Sequence, residues 1–241
     1  AICVPVRASA ASSARGRRPF RPLRARIALL IEGHVQYSYM TIAQIERFYS
    51  RFYPRWNRDA YYGLMELLKV APRQRISRMS CGQRSQVALG LILAQDAELL
   101  VLDDFSMGLD PGYRRLFVEY LRDYARNGAK TVFLTSHIIQ DMEKLVDDCI
   151  VMDYGRILVQ MPVRELLGSF ARYTFTTGAA ELPPIEGAFH PGVMNGRAEL
   201  FSFAPQRQVE QALGGAGIVF DGLVRESLNL EDAFIGLTGK Y

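Results

Sequence analysis

Residues 79–110, MSCGQRSQVALGLILAQDAELLVLDDFSMGLD, constrain this chain more than any other stretch. Ser80 followed three residues later by Gln83 is a capping-box spacing and predicts a helix start. Gly82 lets the backbone approach a neighbour closely, and the free N–H groups of a helix N-terminus favour an anion such as phosphate. Val87, Leu91 and Ala94 recur behind it at helical spacing. Leu99–Leu102 is a continuous apolar run, the pattern of a strand buried on both faces of a parallel sheet. It ends in Asp103 and Asp104, and ligands of parallel sheets sit beyond the carboxyl ends of the strands. One carboxylate there suits Mg²⁺ and the other an attacking water. Taken singly, each piece has a plainer reading, as a helix cap or a solvated Asp-Asp loop.

Order and spacing together say more. Met79-Ser80-Cys81-Gly82-Gln83 resembles the LSGGQ signature of ABC-transporter ATP-binding subunits, and Leu99–Asp103 their Walker B strand. Asp104 stands where that family has its catalytic glutamate, and Ser106–Asp110 resembles its D-loop. Two positions depart from the pattern. Cys81 replaces a glycine, and Asp104 is one methylene shorter than Glu, which is expected to slow hydrolysis without abolishing it.

The resemblance implies an α/β P-loop NTPase fold of the ABC-ATPase type, with a helical subdomain and a small α+β C-terminal tail. It implies ATP and Mg²⁺ as cofactors. Asp103 would serve Mg²⁺, Asp104 the attacking water and His137, in Thr-Ser-His, the γ-phosphate as the family's switch histidine. Ser80, Gly82 and Gln83, with Asp110 of the D-loop, would meet the nucleotide held by a second subunit. Glu32 falls where the Q-loop glutamine, or in some exporters a glutamate, reaches Mg²⁺; its plainer reading is an exposed acid. The partners implied are a transmembrane permease subunit and a second ATPase subunit, homo- or heterodimeric, at the inner face of a membrane in the cytoplasm. No nucleic acid is expected.

One element of the family is not in the sequence. Its phosphate loop, Gly-x-x-x-x-Gly-Lys-Ser/Thr, holds the β- and γ-phosphates through backbone N–H groups and lysine. The 241 residues contain no such motif, and the first of only four lysines is Lys69, followed by Val70. The resemblance therefore starts near Ile27, the fold is expected to be incomplete, and the isolated chain is expected to be inactive. The alternative is a degenerate subunit that lends only its signature to a complete partner. A soluble ABC ATPase of DNA repair or translation is disfavoured, because no long coiled coil or second cassette follows. A chain without function, from a disrupted gene, is the remaining reading.

Residues 1–26 carry seven arginines and no acid, which leaves 22 basic against 25 acidic residues elsewhere. The net charge of +4 thus belongs to the leading segment and is no argument for a nucleic-acid-binding domain. The segment shows neither helical nor strand periodicity and is expected to be an unstructured basic leader. A targeting peptide, a disordered basic tail, or an out-of-frame or fragment boundary each fits; the missing phosphate loop favours the last. Cysteines 3, 81 and 149 have no metal-ligand spacing and suit a reducing compartment.

Residues 27–169 form the expected ATPase domain, with the helical subdomain at about 41–95 and the accessory domain at 170–241. Arg26–Ile31 predicts a strand. Thr41 with Gln44 predicts a helix carrying Ile42, Ile45, Phe48 and Phe52 on one face and ended by Pro54. A second helix is expected at Arg58–Leu68. Phe48, Tyr49, Phe52, Tyr53 and Trp56 are candidates either for the core or for docking to the membrane subunit. Asp110-Pro111 predicts a helix to about Arg126, then a strand at Thr131–Thr135 and a helix at Ile138–Leu145. Strands are expected at Cys149–Met152 and Ile157–Val159, joined by a Tyr154-Gly155 turn. The tail predicts strands near 173–177, 199–203 and 218–226, and helices near 206–213 and from Leu230.

Overall fold

The structure, a computed structural model, describes residues 2–6, 25–31, 37–105, 109–127, 130–140 and 142–239, of which 2–6 and 127 by backbone alone. Glu32 and Ser106–Gly108 lie outside the described residues. The chain divides into two compact units, 1–146 and 147–241.

In the first unit, the apolar runs become parallel strands β2 (Ile27–Leu30), β3 (Leu99–Asp103) and β4 (Thr131–Ser136). Register is continuous, Ile27 facing Leu99 and Leu99 facing Thr131. The strands are buried on one face rather than two. Ala28, Leu30, Leu100, Leu102, Val132 and Leu134 are inside, whereas Ile27 and Leu29 are 43% and 54% exposed and Val101 is half-buried. A fully apolar strand sequence thus hides a period-2 burial pattern, because only one face is well covered among the described residues.

β1 (Ile2–Val6) joins the same sheet at the other edge of β4, antiparallel, with Ile2 opposite Ser136 and Val6 opposite Val132. The sequence led to the expectation of an irregular leader throughout 1–26. Ile2, Val4 and Val6 are β-branched, and the edge of β4 offers unpaired backbone groups that select such a segment. Residues 7–24 lie outside the described residues.

The first capped helix begins as expected. In α1 (Ile42–Tyr49) Thr41 and Gln44 exchange both capping-box hydrogen bonds. The helix ends at Ser50, ahead of Pro54, and the face proposed from spacing splits: Ile42 and Ile45 are fully buried, Phe48 and Phe52 are 36% and 63% exposed. α2 (Arg58–Leu67) is capped by the Asn57 side chain and packs on α3 (Cys81–Ala94). Tyr61 of α2 is fully buried, and its hydroxyl donates to the Ile42 carbonyl at 3.1 Å. That bond satisfies the polar end of a ring whose burial stabilises the subdomain by a few kcal/mol, about 2–3 on area grounds. Trp56 Nε1 donates to the buried Glu46 carboxylate at 3.0 Å, which fixes the turn between the helices.

α4 (Pro111–Asn127) starts where expected. Residues 138–145 are not helical among the described residues. The Ser136 hydroxyl accepts the Ile138 N–H at 3.0 Å, and i→i+3 bonds from Met142 to Ile139 and Leu145 to Met142 close tight turns instead.

The second unit opens with a hairpin of β5 (Asp148–Asp153) and β6 (Arg156–Pro162). Tyr154 and Gly155 both adopt positive φ, 44° and 75°, the turn geometry that suits strand twist. α5 (Val163–Ser169) follows, then an antiparallel sheet of β7 (Ala171–Thr177), β8 (Ala188–Met194), β9 (Arg197–Ser202) and β10 (Phe220–Ser227), in the order β10-β7-β9-β8. α6 (Gln206–Gly215) buries Val209 and Leu213 in the same core as Tyr173, Phe175 and Leu200. α7 (Leu230–Thr238) closes the unit. The unit takes in the hairpin and α5, which composition had assigned to the preceding domain; α5 packs against α7. β8 escapes sequence reading because Pro191 and Gly192 interrupt it. As an edge strand with a register shift between Phe189 and Gly192, it tolerates both.

Candidate functional site

Two clusters gather the residues singled out by sequence. The first lies at the carboxyl ends of β3 and β4. Asp103 faces Thr135 in the parallel register, so their side chains share one side of the sheet. The Thr135 hydroxyl donates to Asp103 Oδ1 at 2.6 Å and accepts the Asp104 N–H at 3.0 Å. Asp104 then turns sharply, at φ 42°, into the left-handed region that non-glycine residues enter at a cost of about 1–3 kcal/mol. The turn aims its carboxylate at His137, whose Nδ1 lies 2.8 and 2.9 Å from the two oxygens.

A carboxylate only accepts, so Nδ1 carries the proton in this contact. In the neutral ring Nε2 then keeps its lone pair, and in the imidazolium it becomes a donor. The Asp104 side chain is 20% exposed and that of His137 59%, so the imidazole remains open to solvent and ligand. The pair can accept a proton from water and hold the resulting cation next to a carboxylate. Phe105, buried and stacked on Phe117 at 4.6 Å between centroids, anchors the chain directly after Asp104.

The second cluster joins the starts of α3 and α4. Ser80 Oγ accepts the Gln83 N–H at 3.2 Å, and Gln83 Oε1 accepts the Ser80 N–H at 3.1 Å. Helix geometry leaves the Cys81 and Gly82 N–H groups without an acceptor inside the helix, and the Ser80 hydroxyl keeps its own proton to donate. Asp110 Oδ1 caps α4 by accepting from Gly112 at 3.0 Å and Tyr113 at 3.1 Å. The space expected at Gly82 for close approach is filled by the Tyr113 ring: a Cβ there would lie 2.4 Å from Tyr113 Cδ2. Buried Gln86 donates to the Tyr113 carbonyl at 2.8 Å and completes the joint.

Thr135, Tyr113 and Gln86 were not singled out from sequence. Thr135 carried a signal, as the polar residue two before His137 on an apolar strand. Tyr113 and Gln86 carried none, since their roles depend on how two helices meet.

No group of three or more His, Cys, Asp or Glu side chains among the described residues forms a metal cage. The donor set still fits Mg²⁺, which keeps several waters and takes one or two carboxylates together with substrate phosphates. Asp103 would be that carboxylate.

Comparison with known proteins decides the relationship. Residues 34–140, less than half of the chain but spanning both clusters, match the family model "AAA domain, putative AbiEii toxin, Type IV TA system". The Nod factor export ATP-binding protein I of Rhizobium meliloti is 29% identical over 235 residues, 91% of this chain and 69% of that protein. That of Rhizobium sp. (strain N33) is 31% identical over 172 residues, 69% of this chain and 55% of that protein. The chain is thus similar to ATP-binding proteins of ABC export systems. A solved ATP-binding subunit of an ABC transporter shares the fold, with a TM-score of 0.53 and 19% identity over 61% of this chain and 63% of the other. The chain spans little more than half to about two thirds of the length of these curated relatives. Among the described residues, no helix is long and apolar enough to cross a membrane.

Proposed function

We propose that this chain is the ATP-binding subunit of an ABC export system and works at the cytoplasmic face of a membrane. The observation that carries the reading is the Asp104–His137 contact at the ends of adjacent parallel strands, beside Asp103. Asp104 orients the attacking water, His137 as imidazolium donates its Nε2–H to the γ-phosphate, and Asp103 holds Mg²⁺ through water or directly. ATP supplies the phosphoanhydride that is hydrolysed; the chain's part is to place carboxylates and imidazole around its own nucleotide and a helix N-terminus against the partner's. Ser80, Gly82, Gln83 and Asp110 sit in the other cluster, as befits groups that face a nucleotide on a second ATPase subunit. Glu32 is assigned to Mg²⁺ on the strength of the resemblance alone.

An exposed aromatic row, Tyr37, Tyr39, Phe48 and Phe52, runs edge to face along the helical subdomain, with centroids 5.2–6.0 Å apart. It is the surface we assign to the permease; Trp56, held by Glu46, is not part of it.

A second reading rests on one observation, that no phosphate-loop motif occurs in the sequence. In it the chain is a signature donor in a heterodimer, and ATP is gripped by the partner. Both readings make the isolated chain inactive. They are tested by mixing it with a subunit that has a phosphate loop and measuring association by size-exclusion chromatography. Association that requires ATP supports the proposal. No association, or association indifferent to nucleotide, counts against it.

A further inference from the structure

We propose that Thr135 is a positioning residue for the acidic pair, and that its hydroxyl, rather than the β3 backbone, sets the direction of both carboxylates. The inference rests on the assignment of Asp103 to the metal and of Asp104 with His137 to water.

Thr135 is the last residue of β4 but one, and it faces Asp103 across the ladder. Its single hydroxyl proton goes to Asp103 Oδ1 at 2.6 Å, so one carboxylate oxygen is committed and the carboxyl plane is fixed. Its oxygen takes the Asp104 N–H at 3.0 Å, just where the strand ends and the backbone enters the left-handed region. A strand that simply continued would give that N–H a ladder acceptor and turn Asp104 to the sheet's opposite side. The hydroxyl thus substitutes for a ladder acceptor and stabilises the sharp turn. That turn is what brings both Asp104 oxygens within 2.9 Å of His137 Nδ1. One β-branched side chain, stiff about χ1, therefore holds two acids in two directions. Serine keeps the hydroxyl with less rotamer restriction; valine keeps the shape and loses both bonds.

The test is nitrogen NMR of the imidazoles in the full chain, at a pH where the rings are neutral. The sequence has three histidines, and the His137 signals are assigned by their loss in His137→Gln. Wild type is expected to show His137 as the Nδ1–H form. Thr135→Val is expected to shift it towards the Nε2–H form that free histidine prefers, while Thr135→Ser stays near wild type. A Thr135→Val spectrum that matches wild type at His137 overturns the proposal. So does collapse of both Thr135→Val and Thr135→Ala with Thr135→Ser folded, which would assign the hydroxyl to stability alone. Mn²⁺ broadening of the same signals reads the metal arm. Thr135→Val is expected to weaken it about 10-fold, as removal of a group that orients a metal ligand does. Broadening weakened equally in Thr135→Ser and Thr135→Val counts against positioning by the hydroxyl. Absence of any broadening in wild type refutes the metal assignment of Asp103, while the tautomer comparison still decides the role of Thr135 at Asp104.

Discussion

His137 Nδ1 lies 2.8 Å from Asp104 Oδ1 and 2.9 Å from Oδ2, so a shorter acid than glutamate still reaches the imidazole when its backbone turns left-handed.

From this contact, Asp104→Asn is expected to lower by about 100-fold or more the turnover of ATP bound over the ends of β3 and β4 of this chain, since an amide neither accepts the proton nor balances an imidazolium. Steady-state phosphate release, compared with wild type at saturating ATP, checks it. Turnover within a few-fold of wild type would remove Asp104 from the chemistry.

At the other cluster, Gly82→Ala is expected to destabilise the first unit by about 1–3 kcal/mol, because the new methyl occupies the place of the Tyr113 ring. Tyr113→Ala in the same chain should recover part of that loss. Urea unfolding of the two single variants and the double variant gives the coupling directly. Strict additivity would mean that the ring and the glycine do not share the space.

Thiol reactivity separates two cysteines. Cys149 is fully buried, and burial, reinforced by the neighbouring Asp148 charge, pushes its thiol up to about 11. Cys81 is exposed at the start of α3. With a charged thiol reagent at pH 8, mass mapping should find Cys81 modified in the native protein and Cys149 only after denaturation. Comparable rates at the two sites would contradict the burial of β5.

The second unit should lose stability in acid. A side-chain hydrogen bond from Arg172, joined by its charge, holds the Glu226 carboxyl below its ordinary value of 4.5. A depressed carboxyl contributes stability above that ordinary value, and the contribution is lost as pH falls through the folded-state value. Both side chains are about a third exposed, so the pair is worth no more than about 1 kcal/mol. Glu226→Gln should therefore lower the midpoint of urea unfolding at pH 7 and have little effect near pH 3. An equal effect at both pH values would point to lost packing rather than charge.

Much of this arrangement was legible in the sequence where local chemistry decides it. Thr41 with Gln44, Ser80 with Gln83 and Asp110 with Pro111 each start a helix at the expected residue, because a cap is a contact within one turn. That Asp103, Asp104 and His137 come together was legible because they follow apolar runs that pair as neighbouring parallel strands. What was not legible depends on distant partners. Ile2–Val6 becomes a strand only because β4 offers an edge, β8 survives Pro191 because it is itself an edge, and Phe52 lies outside the core beyond the end of α1. Likewise the positive φ of Asp104 is set by a hydroxyl 31 residues away.

The most direct test of the account is ATP turnover by this chain with a subunit that has a complete phosphate loop but a disabled signature serine. Neither protein alone should hydrolyse ATP, and the mixture should, with the activity lost in Ser80→Ala, because only the partner's phosphate loop faced by this chain's signature makes a complete site. Hydrolysis by the isolated chain at the rate of the mixture, or a silent mixture of two associated proteins, would contradict it.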